Sequence, residues 1–301
     1  MKPVRIVGVG SAGCQVIRKL SGLSLPGVSL LACHTDFGEL TDFPSVLLLG
    51  DEGQGSGMSS QRAKWWARGR KDLFAAWLNG AELVIFIAGM GGGTGSGATP
   101  VLAGIGRELG ILSIACVTMP FASEGSSVTE FAADGLRHLR KHCDTVIAFS
   151  LDKLAEQLSE NLTIPEFYAK ADELLLNTAR LFPDLLGGPL PLADMRPLLT
   201  DGGMAFVAHT TADGSRRLEA CLEQLHTGCN YHYALPAGAS RLLTVVASET
   251  PLRLLEHQLL VQELERLTGR RSDAFRFVPA PIRQADNGLT MSFLAVGMPV
   301  A

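Results

Sequence analysis

The chain has no long run of lysine or arginine, no C-x-x-C pair and no apolar stretch long enough to span a membrane. Each absence removes a class of function. Without a basic stripe there is no electrostatic footprint for nucleic acid or an anionic membrane surface, and the net charge is -4. The six cysteines, Cys14, Cys33, Cys116, Cys143, Cys221 and Cys229, show no metal-ligand spacing. Most lie in apolar runs, where a free thiol behaves as a small buried hydrophobe. A reducing cytoplasm is the expected compartment. The N-terminus begins at once with a strand-like run, Val4 to Val9, and lacks the longer apolar region and cleavage site of a leader. There is no internal repeat and no low-complexity tail.

What is present is core-rich. Hydrophobic residues make up 47% and charged residues 19% of 301, enough for one large domain or two ordinary ones. Val4–Val9, Val28–Cys33, Val46–Leu49, Leu83–Ala88, Leu112–Thr118 and Val146–Phe149 read as buried strands, rich in β-branched residues and bounded by turns. Helical stretches, Ser60–Leu78, Ala98–Leu109 and Ser127–His142, alternate with them. That alternation predicts a parallel sheet covered on both faces. Near residue 165 the pattern changes. Pro165 suits the first turn of a helix, and Pro183 is expected to stop it after Leu181. Phe167, Ala171, Leu174, Leu175 and Thr178 share one face of that helix, and Gly187-Gly188-Pro189 reads as a break. The last hundred residues read as mixed α+β. Helices are expected near Arg216–Leu225 and Pro251–Leu267, and strands at Leu242–Ala247, Ala274–Val278 and Leu289–Val296. The expected fold class is α/β. It has a Rossmann-like parallel-sheet domain over 1–162, a long central helix over 163–182 and a smaller α+β C-terminal domain over 183–301.

Two glycine loops carry the chemistry. Gly8-Val9-Gly10-Ser11-Ala12-Gly13 follows the first strand and opens a helix, whose free amides and positive dipole end suit a phosphate. Alone, this loop fits a nicotinamide-dinucleotide fingerprint equally well, with Asp36 as the ribose acid, or a tight turn with no ligand. The second loop, Gly89-Met90-Gly91-Gly92-Gly93-Thr94-Gly95-Ser96-Gly97, holds six glycines in nine residues. Each glycine loses much backbone entropy on folding, so packing alone rarely requires so many. A nest of consecutive amides around a di- or triphosphate does.

The string GGGTGSG, Gly91 to Gly97, resembles the signature of the tubulin/FtsZ superfamily. The resemblance extends from Val4 to about Met298. Gly10-Ser11-Ala12-Gly13-Cys14-Gln15 is closer to the tubulin form of the first loop than to the all-glycine FtsZ form. Thr35-Asp36 resembles the family's Asn-Thr-Asp loop, with His34 for Asn. Gly53 to Gly57 resembles the loop near the γ-phosphate, with Ser59-Ser60-Gln61 for the usual Asn-Pro-Glu. Thr118 to Phe121 and Glu124-Gly125 resemble the ribose-side loop, and Asp152-Lys153-Leu154 the Asn-Asp-Lys-Leu stretch, with Leu151 for Asn. In the central helix, Tyr168-Ala169-Lys170-Ala171-Asp172 resembles the base-recognising turn. An aromatic and an acid four apart share a helix face. The ring can stack on a purine, and the carboxylate can accept from guanine's N1–H and amino group.

The resemblance implies a divergent FtsZ-like protein that binds GTP or GDP with Mg²⁺. The implied nucleotide contacts are Gly10, Ser11, Ala12, Gly13, Cys14, Asp36, Gly57, Gly91, Gly92, Gly93, Thr94, Gly95, Glu124, Tyr168 and Asp172. It also implies head-to-tail filaments of the chain with itself, and FtsZ or other cytoskeletal proteins as further partners. In the family, a loop of the next subunit positions the attacking water. Here that loop reads Pro189 to Arg196. It keeps Ala193-Asp194 and Arg196 but lacks the usual Asn and first Asp. Asp194 stands at the catalytic acid's position, or it stabilises the start of the following helix. Slow GTP hydrolysis is expected, and a non-hydrolysing homologue that caps or co-polymerises with FtsZ is the alternative. Ser126-Ser127-Val128 replaces an FtsZ arginine, and no C-terminal tether peptide for membrane recruitment is expected.

Other features read as structural. His138 and His142 are four apart with no third ligand, and Arg62, Lys64, Arg68, Arg70 and Lys71 read as a solvated face. Trp77 is expected in the core, with Trp65 and Trp66 straddling core and surface.

Overall fold

The computed structural model describes residues 4–51, 53–158, 161–186, 190–228, 232, 236–248, 250–271, 277–280 and 288–298. The first half runs β1 (Val4–Val9), α1 (Gly10–Ser21), β2 (Val28–His34), β3 (Val46–Leu48), α2 (Ser60–Gly69), α3 (Lys71–Leu78), β4 (Leu83–Gly89), α4 (Gly93–Glu108), β5 (Leu112–Met119), α5 (Ser126–His142), β6 (Thr145–Ser150) and α6 (Leu151–Gln157). The second runs α7 (Ile164–Leu186), α8 (Leu192–Leu199), β7 (Gly203–Ala212), α9 (Arg217–Gly228), β8 (Arg241–Ser248), α10 (Leu254–Thr268), β9 (Phe277–Ala280) and β10 (Leu289–Val296).

The ten strands among the described residues belong to one sheet, ordered β3-β2-β1-β4-β5-β6-β7-β10-β8-β9. Pairing is parallel from β3 through β7, and β10 runs antiparallel between β7 and β8. Successive side chains of a strand leave on opposite faces. Val7 and Val9 join the core beneath α2 to α5, α9 and α10, whereas Val4 and Ile6 join the core beneath α1, α7 and α8. The two cores fix the register of β1, because a one-residue slip would exchange the faces of all its side chains.

Several expectations are revised. The single helix over Ser60–Leu78 is two helices that break at Arg70. Gly69 weakens the helix by about 1 kcal/mol relative to alanine. Arg70 donates instead to the Leu48 carbonyl at 3.1 Å and pairs with Asp51 at 3.0 Å. Helix α4 starts at Gly93 rather than Ala98, inside the glycine loop. Helix α7 does not stop at Pro183 but continues to Leu186. A proline inside a helix costs about 3 kcal/mol. Burying Phe182 and Leu185 beside it returns about 1.5–3 kcal/mol each, enough to carry the helix on. Trp77 is half-buried at the core's edge, stacked on Phe74 with ring centres 6.1 Å apart. Trp65 is exposed while Trp66 packs on the core. Strand β7 and helix α6 have no counterpart among the predicted elements. The break at 187–189, positions 274–276 of a predicted strand, and Cys229 lie outside the described residues. The other five cysteines are buried and free. Among the described residues no helix is long and apolar enough to cross a membrane, and no cluster of metal-ligating side chains occurs.

His232 is fully buried between Phe206 and Phe149, with ring centres at 4.2 and 4.6 Å. Burial pulls its pKa down to about 3. In the unfolded chain the ring takes a proton near its ordinary value of about 6.5. Above that pH both states are neutral and its contribution is whole. As pH falls from there towards 3, the unfolded state gains the proton first and stability drops by about 4–5 kcal/mol. His232→Phe is therefore expected to flatten the acid limb of the stability curve in that window. Urea unfolding against pH checks this, and parallel wild-type and variant curves would refute it.

Candidate functional site

The strand order reverses at β1. The chain leaves β1 through α1 to β2 on one side, and leaves β4 through α4 to β5 on the other. Crevices form at such reversals because successive helices cover opposite faces of the sheet. Here α1 packs on one core and α4 on the other. Strands β1 and β4 pair from Val4 with Leu83 to Val9 with Ala88, so both glycine loops emerge level with each other. Neither helix that follows has a side-chain N-cap: Val9 precedes α1 and Gly92 precedes α4. In contrast, Ser59 and Ser150 cap α2 and α6. The first amides of α1 and α4 therefore remain donors, and the two positive dipole ends converge on one cavity.

That cavity is about 370 Å³, within the ordinary range for a small-molecule site. Of the expected residues, Gly10, Ser11, Ala12, Asp36, Gly57, Gly92, Gly93, Thr94, Gly95, Glu124, Tyr168 and Asp172 line it. Gly13, Cys14, Gly91 and Asp194 do not. Gly13 lies where a Cβ would come within 2.3 Å of the Ile87 carbonyl, so it lets α1 pack on β4. The Cys14 thiol is buried against the Cys33 carbonyl, and burial raises its pKa to about 12. Gly91 adopts φ 102° and donates its amide to Ser96 Oγ at 2.8 Å, closing the loop on itself. Asp194 sits in the first turn of α8, outside this cavity.

The wall is braced by contacts among side chains of these motifs. Thr35 and Thr94 join hydroxyls at 2.8 Å, tying the end of β2 to the start of α4. Asp152 accepts from the Ala122 amide at 3.0 Å, fixing the turn that holds Glu124. Ser56, inside the Gly53 to Gly57 loop, and Leu151, which replaces the family's Asn, also line the cavity, as does Met58, for which the sequence carries no signal. Asp36 and Glu124 each spend one carboxylate oxygen locally, on the amides of Gly38 and Phe121. On α7, Tyr168 is 43% exposed and lines the cavity. Asp172 is held by Lys19 of α1 at 3.1 Å. Burial raises the Asp172 pKa, and Lys19 opposes the rise. No lysine or arginine lines the cavity among the described residues, so a polyanion here is met by amides and dipoles rather than side-chain cations. A larger cleft of about 1490 Å³ lies between α2, α4 and α5; it is lined by Ser96 and Gly97 of the second loop but not by Gly92 to Gly95 or the first loop.

Residues 3–159 match the Tubulin/FtsZ family, GTPase domain. The chain belongs to the tubulin/FtsZ family. Within that family it is 35% identical over 234 residues to cell division protein FtsZ 1 of Thermococcus kodakarensis, covering 74% of this chain and 62% of the relative. It is 34% identical to FtsZ 1 of Pyrococcus furiosus, covering 74% and 63%. The chain thus spans less than two thirds of the length of these relatives. Among solved structures, an empty FtsZ dimer of M. jannaschii superposes with a TM-score of 0.86 at 26% identity, covering 99% of this chain and 88% of that one. A GTPγS-bound protofilament of CetZ2 from Haloferax volcanii shares the fold, with a TM-score of 0.84 at 20% identity and coverage of 99% and 94%.

The family's second loop makes a steric prediction. A Cβ on Gly95 would lie 2.0 Å from the Gly89 carbonyl, whereas one on Gly92 would meet nothing within 4 Å. Alanine in a helix gains up to about 1 kcal/mol over glycine, but a backbone clash costs about 1–3 kcal/mol. The clash wins, so Gly95→Ala is expected to lower stability by about 1–2 kcal/mol and Gly92→Ala to change it by less than about 0.5 kcal/mol. Chemical unfolding of both variants measures this. Equal losses would show that the glycines serve something other than close approach.

Proposed function

We propose that the chain binds GTP and GDP in the cavity at the β1/β4 reversal and self-assembles head to tail. The observation that carries the reading is the convergence of two uncapped helix N-termini beside Tyr168 and Asp172. Phosphates fit the amides of Gly10 to Ala12 and Gly92 to Gly95, with Glu124 on the ribose side. The base fits against Tyr168, with the Asp172 carboxylate on its N1–H and amino edge. Among the described residues a triphosphate meets three acids and no side-chain cation in this wall, so Mg²⁺, a common partner of phosphoryl groups, would supply the positive charge the wall lacks. Asp194 lies outside the cavity of its own subunit, which accords with a role on a neighbour's nucleotide. The protofilament formed by CetZ2, which has the same fold, supports filament formation.

Hydrolysis is proposed to be slow, and a non-hydrolysing partner of FtsZ is the second reading. One observation favours the latter. In the segment before Asp194, Pro191 stands where the family's loop carries its first Asp, and Leu190 and Leu192 on either side of it are buried in the core.

Two measurements test these readings. Asp172→Asn exchanges a two-fold acceptor for an amide and is expected to weaken GTP by about tenfold or more, with little effect on ATP. Equilibrium titration with both nucleotides reads this, and an unchanged GTP/ATP ratio would remove Asp172 from base recognition. Asp194→Ala is expected to leave binding intact and to lower phosphate release by about a hundredfold. If filaments seen by electron microscopy release no phosphate even in the wild type, the non-hydrolysing reading stands instead.

A further inference from the structure

Ser11 in the first glycine loop and His34 at the end of β2, which replaces the family's Asn, meet at the cavity wall. His34 Nδ1 lies 2.9 Å from the Asp36 backbone nitrogen, whose N–H donates to it. A neutral imidazole whose Nδ1 accepts carries its proton on Nε2. That Nε2 lies 3.3 Å from Ser11 Oγ, so it donates there and the serine oxygen accepts. Ser11 then has only its own hydrogen left to place. It is exposed in the cavity wall beside the uncapped start of α1. We propose that His34 is a positioning residue for the phosphate site: anchored by the Asp36 amide, its ring holds Ser11 so that the serine hydroxyl faces the cavity as a fixed donor to a phosphate oxygen. This rests on the nucleotide reading above.

The arrangement needs a neutral ring. Protonation makes Nδ1 a donor facing the donating Asp36 N–H, which breaks the anchor. Burial lowers the His34 pKa below its ordinary value, opposed by the carboxylates of Glu39 and Asp36. From α1 and α4 this corner receives the Ser11 and Thr94 hydroxyls, which do not titrate, and the Cys14 thiol against the Cys33 carbonyl, which burial pushes up to about 12 and so keeps neutral over this range. The relay is therefore whole near neutral pH and is lost as pH falls through the lowered value.

The test is titration of the full chain with a fluorescent methylanthraniloyl GTP, from about pH 8 to about pH 5. The wild type, Ser11→Ala, His34→Gln and the double variant are compared, with thermal unfolding run alongside. Glutamine keeps an N–H donor at this position but does not titrate, so it also corrects for protonation of the nucleotide. Expected are a loss of about three- to tenfold for Ser11→Ala near neutral pH and near-wild-type binding for His34→Gln. Wild-type affinity should fall below that of His34→Gln as the medium becomes acid, and the Ser11→Ala background should abolish that difference. A pH difference that persists without the serine hydroxyl overturns the proposal. So does wild-type affinity that rises above His34→Gln in acid, which would make the ring a simple cation for the phosphates. No binding by the wild type near pH 8 would remove the nucleotide reading and this inference together. Binding with independent effects of the two residues would remove this inference alone.

Discussion

The site depends on the parallel pairing of β1 with β4. Six consecutive pairs, Val4 with Leu83 through Val9 with Ala88, bring two loops distant in sequence to the same height at one edge of the sheet. Because the strand order reverses there, the helices behind those loops pack on opposite faces, and their N-termini splay apart around a crevice. A slip by one residue would offset the two amide sets and send Val7 and Ile6 into the wrong cores. The hydrophobic cores therefore hold the polar site in place. The energy that fixes the anion cradle lies in valine and isoleucine packing rather than in the cradle itself.

The same logic extends to the acids around the cavity. Asp36 and Glu124 are each tied to a local backbone amide, and Asp152 pins the turn that carries Glu124. Their orientations are set before any ligand arrives, which reduces the ordering that binding requires. Asp172 is the exception. Its partner is a flexible lysine on a different element, Lys19 on α1.

Much of this was legible in the amino-acid order. The strands β1 and β10 fall where the apolar runs Val4–Val9 and Leu289–Val296 predict them, and both glycine loops flank the cavity. The misses have a common cause, because local signals were outweighed by packing. Pro183 reads as a stop, yet the apolar face of α7 continues through it. Gly93 to Gly97 reads as loop, yet the small residues are helical because neighbouring backbone comes so close: a Cβ on Gly97 would sit 2.1 Å from the Ser60 carbonyl. The roles of Gly13, Cys14 and Gly91 were hidden for a similar reason. A motif records which residues are needed and not whether each one touches a ligand or makes room for those that do. The Ser11–His34 and Thr35–Thr94 contacts join residues 23 and 59 positions apart, and no spacing in the chain announces them.

Helix α1 begins at the first glycine loop and, near its far end, grips Asp172 through Lys19. At about 1.5 Å per residue, some 14 Å of stiff rod separates the two. That rod sets the distance between the open amides at its start and the carboxylate at its far end, so the spacing of these two groups across the cavity is fixed by backbone geometry rather than by side-chain rotamers.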